Sequence, residues 1–286
     1  MQGEFPPQGS RPSGISDETS EVLARLLKAW RAETKMKSGG KKKLSQAKVA
    51  ADAGKTERWY RYLEAGYLPR PDREVMAKLA EALLLDPDQR EMLFLSTIGC
   101  NAPAGAVACT DLSGSERKAI QAFLDQQDPK PAYVIDPDWT VVAVNRAMRE
   151  WWPRVTEAEA NVMHSILIGD DAREQLADWE SHARTHLSMM RLEFARKRPD
   201  SILPDILKEA ITDPLIERFW NEDSSVLGNR GGQQFRLKLT RFENEVTLTS
   251  QVFTLTNDDN LRLVVLSWPE TDDGPEGFAI PTHLHL

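Results

Sequence analysis

Residues 44 to 66, LSQAKVAADAGKTERWYRYLEAG, constrain this chain more than any other stretch. Ser45 is a hydroxyl suited to capping a helix start. Val49, Ala50 and Ala53 follow at helical spacing as a short apolar face. Gly54 then offers the positive φ that a sharp turn needs. Thr56 is a second capping residue, and Tyr60 and Leu63, three apart, face inward together. Glu64 and Gly66 close the unit, with Gly66 as the helix stop. Two short helices joined by a glycine turn form a helix-turn-helix, a unit whose second helix enters the major groove of DNA.

The net charge of −8 argues against a nucleic-acid partner until its distribution is read. Residues 17 to 70 hold 13 Lys or Arg against 7 Asp or Glu, an excess of six positive charges. The remainder holds 23 basic against 37 acidic residues, an excess of 14 negative ones. A basic module joined to an acidic one implies that only the first touches phosphates. The length of 286 residues suits two domains, and 41% apolar with 28% charged residues suits a soluble chain. No apolar run reaches the ~18 residues of a membrane span. Residues 1 to 16 are rich in Pro, Gly and Ser and lack an apolar core segment, so they read as a disordered segment and not as a signal peptide. A cytoplasmic chain is expected, with Cys100 and Cys109 as reduced thiols in a linker.

In chain order, residues 18 to 36 form a first helix with Val22, Leu23, Leu26, Leu27 and Trp30 on one stripe. Arg25, Lys28 and Arg31 lie off that stripe. A basic loop, KSGGKKK, leads into the two helices of the opening stretch. Helices over 72 to 84, on Val75, Leu79, Ala82 and Leu83, and after Asp86-Pro87-Asp88 bring the count to five within residues 17 to 98. Residues 99 to 114 are a small-residue linker. A helix over 115 to 127 follows, then a hairpin of strands 131–136 and 139–144. Asn145 caps the next helix, another runs over 157 to 168, and 170 to 197 reads as one long amphipathic helix. Shorter helices cover 201 to 210 and 214 to 221. From residue 233 the period becomes two, giving three late strands up to residue 267. Residues 270 to 286 read as a tail. The fold class is therefore α+β in two domains: an all-α five-helix domain over 17–98, and over 115–269 a five-stranded antiparallel sheet with helices, the PAS-like plan.

Gln46, Gly54, Leu63, Glu64 and Gly66 resemble the helix-turn-helix pattern of lambda-repressor-like (XRE-type) regulators. The Trp59-Tyr60 pair narrows the likeness to MmyB-like regulators. PAYVIDPDWTVVAVNRAM (131 to 148), Asn161, Asp178-Trp179 and FWNEDSSV (219 to 226) are similar to that family's second domain. This chain departs from the family at Lys55, where an aliphatic residue is usual, and at Ala160, where an arginine is usual. It also lacks the usual His-Pro within residues 234 to 240. The resemblance implies a lambda-repressor-like DNA-binding domain attached to a PAS-like sensor domain that takes a fatty-acid-like ligand.

On the recognition helix, Glu57, Arg58 and Arg61 point away from Tyr60 and Leu63 and are candidate base contacts. Arginine can bond bidentate to guanine O6 and N7, and glutamate can accept from a cytosine amine. Gln46, Lys41, Lys42, Lys43, Lys48, Lys55 and Thr56 are candidate phosphate contacts, with Gln46 alternatively orienting the recognition helix. In the second half, Tyr133, Trp139, Trp151, Met163, Trp179, Met190, Phe194, Trp220 and Phe253 are candidate lining for a hydrophobic ligand held between the sheet and the 170–197 helix. They also suit an ordinary core. His182 and His186 read as surface histidines, since no further metal ligand stands at metal spacing. No triad, P-loop or dinucleotide fingerprint is present, so an enzyme is not expected. The expected function is a DNA-binding regulator acting as a homodimer on an inverted-repeat operator, its second half sensing a hydrophobic small molecule. The alternative is a second half that binds a protein such as RNA polymerase and no ligand.

Overall fold

The computed structural model describes residues 17–37, 44–67, 72–98, 114–157, 159–196, 198, 200–228, 231–238, 245–255 and 258–268. The N-terminal segment 1–16, the lysines 41 to 43, both cysteines with nearly all of the linker, and the tail 270–286 lie outside the described residues. The chain divides into two units. One contains Met1–Asn101 together with Arg191–Lys197 and Ser224–Leu227, and the other contains the rest.

The first unit is helical. It comprises α1 (Asp17–Lys37), α2 (Gln46–Asp52), α3 (Glu57–Glu64), α4 (Arg73–Ala82) and α5 (Pro87–Thr97). The expected stripe of α1 is its buried side, with Leu23, Leu26, Leu27 and Trp30 almost fully enclosed. Each such side chain contributes roughly 1.5–3 kcal/mol by leaving water. α1 packs against α3 and α5, and α2 against α3 and α4. The phase of α4 differs from the expected one by a residue: Met76, Leu79, Ala80 and Leu83 are buried, while Val75 and Ala82 are half-covered. α5 begins on a full capping box. The Asp86 carboxylate accepts from the backbone of Asp88 and Gln89, and the Gln89 side chain accepts from the Asp86 N–H.

The second unit is an open five-stranded antiparallel sheet, β1 (Ala132–Ile135), β2 (Val141–Val144), β3 (Gln233–Leu237), β4 (Val246–Leu255) and β5 (Asp258–Ser267), in the order β2-β1-β5-β4-β3. α6 (Gly114–Asp125) precedes the sheet. Between β2 and β3 run α7 (Arg146–Trp151), α8 (Val162–Leu167), α9 (Asp170–Gln175), α10 (Trp179–Ala195), α11 (Leu203–Ala210) and α12 (Pro214–Glu222). Asn145 caps α7 as expected and does more. Its fully buried amide oxygen accepts from both Ala132 and Met148 backbone N–H groups, and its NH₂ donates to the Lys130 carbonyl. It thus ties the start of β1 to the start of α7.

Two helix expectations need correction. The helix expected over 157 to 168 begins only at Val162, because Asn161 is its cap and Thr140 forms a bridge with Asn161. The helix expected over 170 to 197 is two helices. Leu176 forms a bridge with Leu237, Ala177 donates to the Arg236 carbonyl, and Lys238 donates to the Gln175 carbonyl. This pairing with β3 holds Leu176 extended and breaks the helix without any Gly or Pro.

The two faces of the sheet carry different cover. Leu124 of α6 lies with Ala132, Val134, Leu261, Leu263 and Val265 on one face. Tyr133, Val264 and Val252 lie side by side on the other. α10 belongs to this second face, where the His182 ring meets Phe235 edge-on at 5.4 Å.

Candidate functional site

The turn between α2 and α3 follows from two local devices. Gly54 has φ +69°, and around it Gly54 donates to the Ala51 carbonyl and Lys55 to the Ala50 carbonyl, closing the end of α2. Ser45 caps α2 and Thr56 caps α3, each side-chain oxygen accepting from a backbone N–H three residues on. Gly66, at φ +84°, ends α3 in the same manner, with Tyr67 donating to the Tyr62 carbonyl.

α3 is sharply two-sided. Trp59, Tyr60, Leu63 and Glu64 are buried, and Glu57, Arg58 and Arg61 are exposed. The buried side is anchored by charge as well as by apolar contact. Glu64 is 2% exposed and receives Arg31 Nε at 2.6 Å and Nη2 at 3.2 Å, while Gln46 Nε2 donates to it at 2.6 Å. Arg31 also donates to the Leu44 carbonyl. One carboxylate therefore joins α1, the start of α2 and the recognition helix. Burial pushes the Glu64 carboxyl up, but the bonds from Arg31 and Gln46 outweigh it and hold the group below its ordinary range. Tyr60, beside it, is pushed up by burial and then by the Glu64 charge.

The phosphate candidates have separate surroundings. Lys48 is exposed and paired with Asp52 at 2.6 Å. Lys55 is half-buried, with its ammonium 6.0 Å from the Trp59 ring centre, so its stem packs while its charge stays near the surface. The Thr56 hydroxyl serves as the α3 cap. Gln46 is turned inward to Glu64, the orienting alternative raised for it above. Lys41, Lys42 and Lys43 lie outside the described residues. Tyr62 is a half-buried residue that no sequence pattern singles out as a site residue. It stands one turn after Arg58, which reaches its phenol oxygen through Nη2 at 3.4 Å and lies over its ring at 5.6 Å. The i, i+4 spacing of an arginine and a tyrosine was the available signal.

Residues 117–277 match the MmyB-like transcription regulator ligand binding domain, and residues 22–93 match a helix-turn-helix domain. The chain belongs to the MmyB-like transcription regulator family. It is a DNA-binding helix-turn-helix regulator with a PAS-like accessory domain, and neither matched domain is an enzyme. No curated protein matches the chain. Among the described residues, no helix is long and apolar enough to cross a membrane, and no group of three His, Cys, Asp or Glu side chains is placed to hold a metal.

In the MmyB-like accessory domain, Trp139, Trp151, Met163, Trp179, Met190 and Trp220 are buried, and Tyr133 is half-covered. Phe194 is half-covered and belongs to the first unit. Phe253 is a correction. It is 50% exposed and pairs with Leu263, on the sheet face opposite Tyr133. Side chains alternate along a strand, so Phe253 and the α10 side of the sheet never meet. His186 is a second correction: it is buried, not at the surface. Its Nδ1 bonds the His182 carbonyl oxygen, its ring lies 5.7 Å from Trp139, and burial lowers its pKa to about 4. Arg262 joins the same group, its guanidinium 4.8 Å over the Trp139 ring and donating to the Asp136 and Pro137 carbonyls. The α10 side of the sheet is thus aromatic with a few polar groups, where sequence spacing alone indicated only apolar residues.

Proposed function

We propose that this protein is a ligand-responsive transcription factor. α3 reads an operator through Arg58, Arg61 and Glu57. Lys48, Lys55 and Thr56, with the lysines 41 to 43 that precede α2 in the sequence, are the phosphate contacts of this reading. The observation that carries the DNA-reading role is the two-sided α3: its inner side is fastened through Glu64 while its outer side presents both arginines. Two copies acting together would set their recognition helices one DNA turn, ~34 Å, apart and favour an inverted repeat. Such a regulator works in the cytoplasm.

The accessory domain takes a hydrophobic, fatty-acid-like molecule against the α10 side of the sheet, near Tyr133, Trp139 and Met190. The family's description as a ligand-binding domain and the aromatic character of that side support this. Such a ligand acts on DNA binding only if it prefers one of two states of the protein. Mass spectrometry of organic extracts from purified protein is expected to recover a hydrophobic acid, and added fatty acids are expected to raise the melting temperature. Empty extracts with no thermal shift would overturn the small-molecule role and favour a protein partner such as RNA polymerase.

A further inference from the structure

We infer that Tyr62 is a positioning residue that presets Arg58 for a guanine edge. This rests on the proposed base-reading role of Arg58. Four side chains of α3 define what is outside: Trp59 and Tyr60 turn inward, as do Leu63 and Glu64, so Arg58, Arg61 and Tyr62 share the outward arc. Tyr62 is therefore not needed to close the core stripe. Its ring instead lies under the Arg58 guanidinium, 5.6 Å from Cζ, and Tyr67 buttresses that ring edge-on at 5.6 Å and 80°. The Nη2 contact to the phenol oxygen, at 3.4 Å, aligns the two groups further.

The geometry suits the chemistry of readout. A cation–π contact uses the face of the guanidinium, whereas a guanine is read by the N–H fork in its plane. The ring contact thus restricts the arginine through its face, while the long Nη2 bond to the phenol oxygen is an in-plane contact that a base displaces. An arginine side chain carries considerable rotamer entropy, part of which is lost on binding a base. A ring that already holds the side chain lowers that loss before DNA arrives. The benefit falls only on the base that Arg58 contacts, so Tyr62 governs preference at one position of the operator and leaves phosphate-driven binding unchanged.

The test uses the full chain and a duplex selected by it from a random pool. Binding of Arg58→Ala to single-base variants of that duplex identifies the guanine whose replacement no longer matters once the arginine is gone. Tyr62→Ala is expected to relax discrimination at that guanine about fivefold, the size of an exposed cation–π contact, and to leave binding to shuffled DNA unchanged. Tyr62→Phe keeps the π face and retains most of the discrimination. Tyr62→Leu fills similar space without a π face and repeats the loss, which separates the effect from a folding defect. In the Arg58→Ala background, Tyr62→Ala is expected to add nothing at that position. Equal weakening of every duplex by Tyr62→Ala, or a full additional loss in the Arg58→Ala background, would overturn the inference while leaving the role of Arg58 intact. If Arg58→Ala itself weakens all duplexes equally, the base-reading role fails and the inference falls with it.

Discussion

Glu64→Ala is expected to destabilise the helical unit by about 3 kcal/mol, the size expected when one partner of an enclosed ion pair is removed. The reason is the charge left behind. Arg31 is 12% exposed and Glu64 2%, so loss of the carboxylate strands a guanidinium away from water and releases the Gln46 amide. A urea titration followed by helical circular dichroism measures the loss, and a change under ~1 kcal/mol would place the pair among weak surface bridges instead. Replacing both charges together, as Arg31→Met with Glu64→Leu, is expected to recover most of the stability, because an apolar pair costs nothing to desolvate. The pH dependence has a definite sign. The folded pKa of Glu64 is depressed, so its contribution is complete above the ordinary glutamate value of 4.5 and is lost as pH falls below it. His186 loses stability over a higher window. Its folded value of about 4 lies below the ordinary 6.5, so the unfolded chain takes up the proton first, and the sheet unit weakens as pH falls from 6.5 towards 4. On acidification the sheet unit is expected to weaken before the helical one.

Arg58→Ala is expected to cut affinity for the selected operator by roughly 5- to 150-fold, the ~1–3 kcal/mol of a bidentate arginine–guanine contact. Binding to random duplex is expected to fall far less, since one lost charge weakens phosphate attraction only slightly. Titration of both duplexes at one fixed salt concentration decides between the roles. Equal losses on the two would make Arg58 a phosphate contact. The comparison at fixed salt is essential, because counterion release alone shifts affinity by orders of magnitude.

The helical half was legible in the sequence because its determinants are local. Ser45 and Thr56 cap, Gly54 and Gly66 turn, and the stripe of α1 repeats at helical spacing, all within a few residues of what they control. The link that fastens the recognition helix was not legible. Arg31 lies 33 residues from Glu64 and off the apolar stripe, where sequence pattern places a solvated charge. The same limit applies to the sheet half. The break at Leu176 is imposed by β3, some sixty residues later, and no local residue announces it. Alternation in β4 shows that Phe253 and Val252 point opposite ways, but only the register with β5 and β1 shows which of them shares a face with Tyr133. For His182 and His186, the four-residue spacing was visible, while the Trp139 ring that packs on the buried His186 was not. Tyr62 fits neither the core stripe nor the charged outer side by pattern, and only its i, i+4 spacing from Arg58 points to their contact.

Selection of duplexes from a random pool by the full chain tests the central claim most directly. The account predicts enrichment of one inverted repeat, with half-sites about 10 base pairs apart centre to centre, and a guanine in each half-site that Arg58→Ala no longer distinguishes. A recovered pool no different from the input would contradict it.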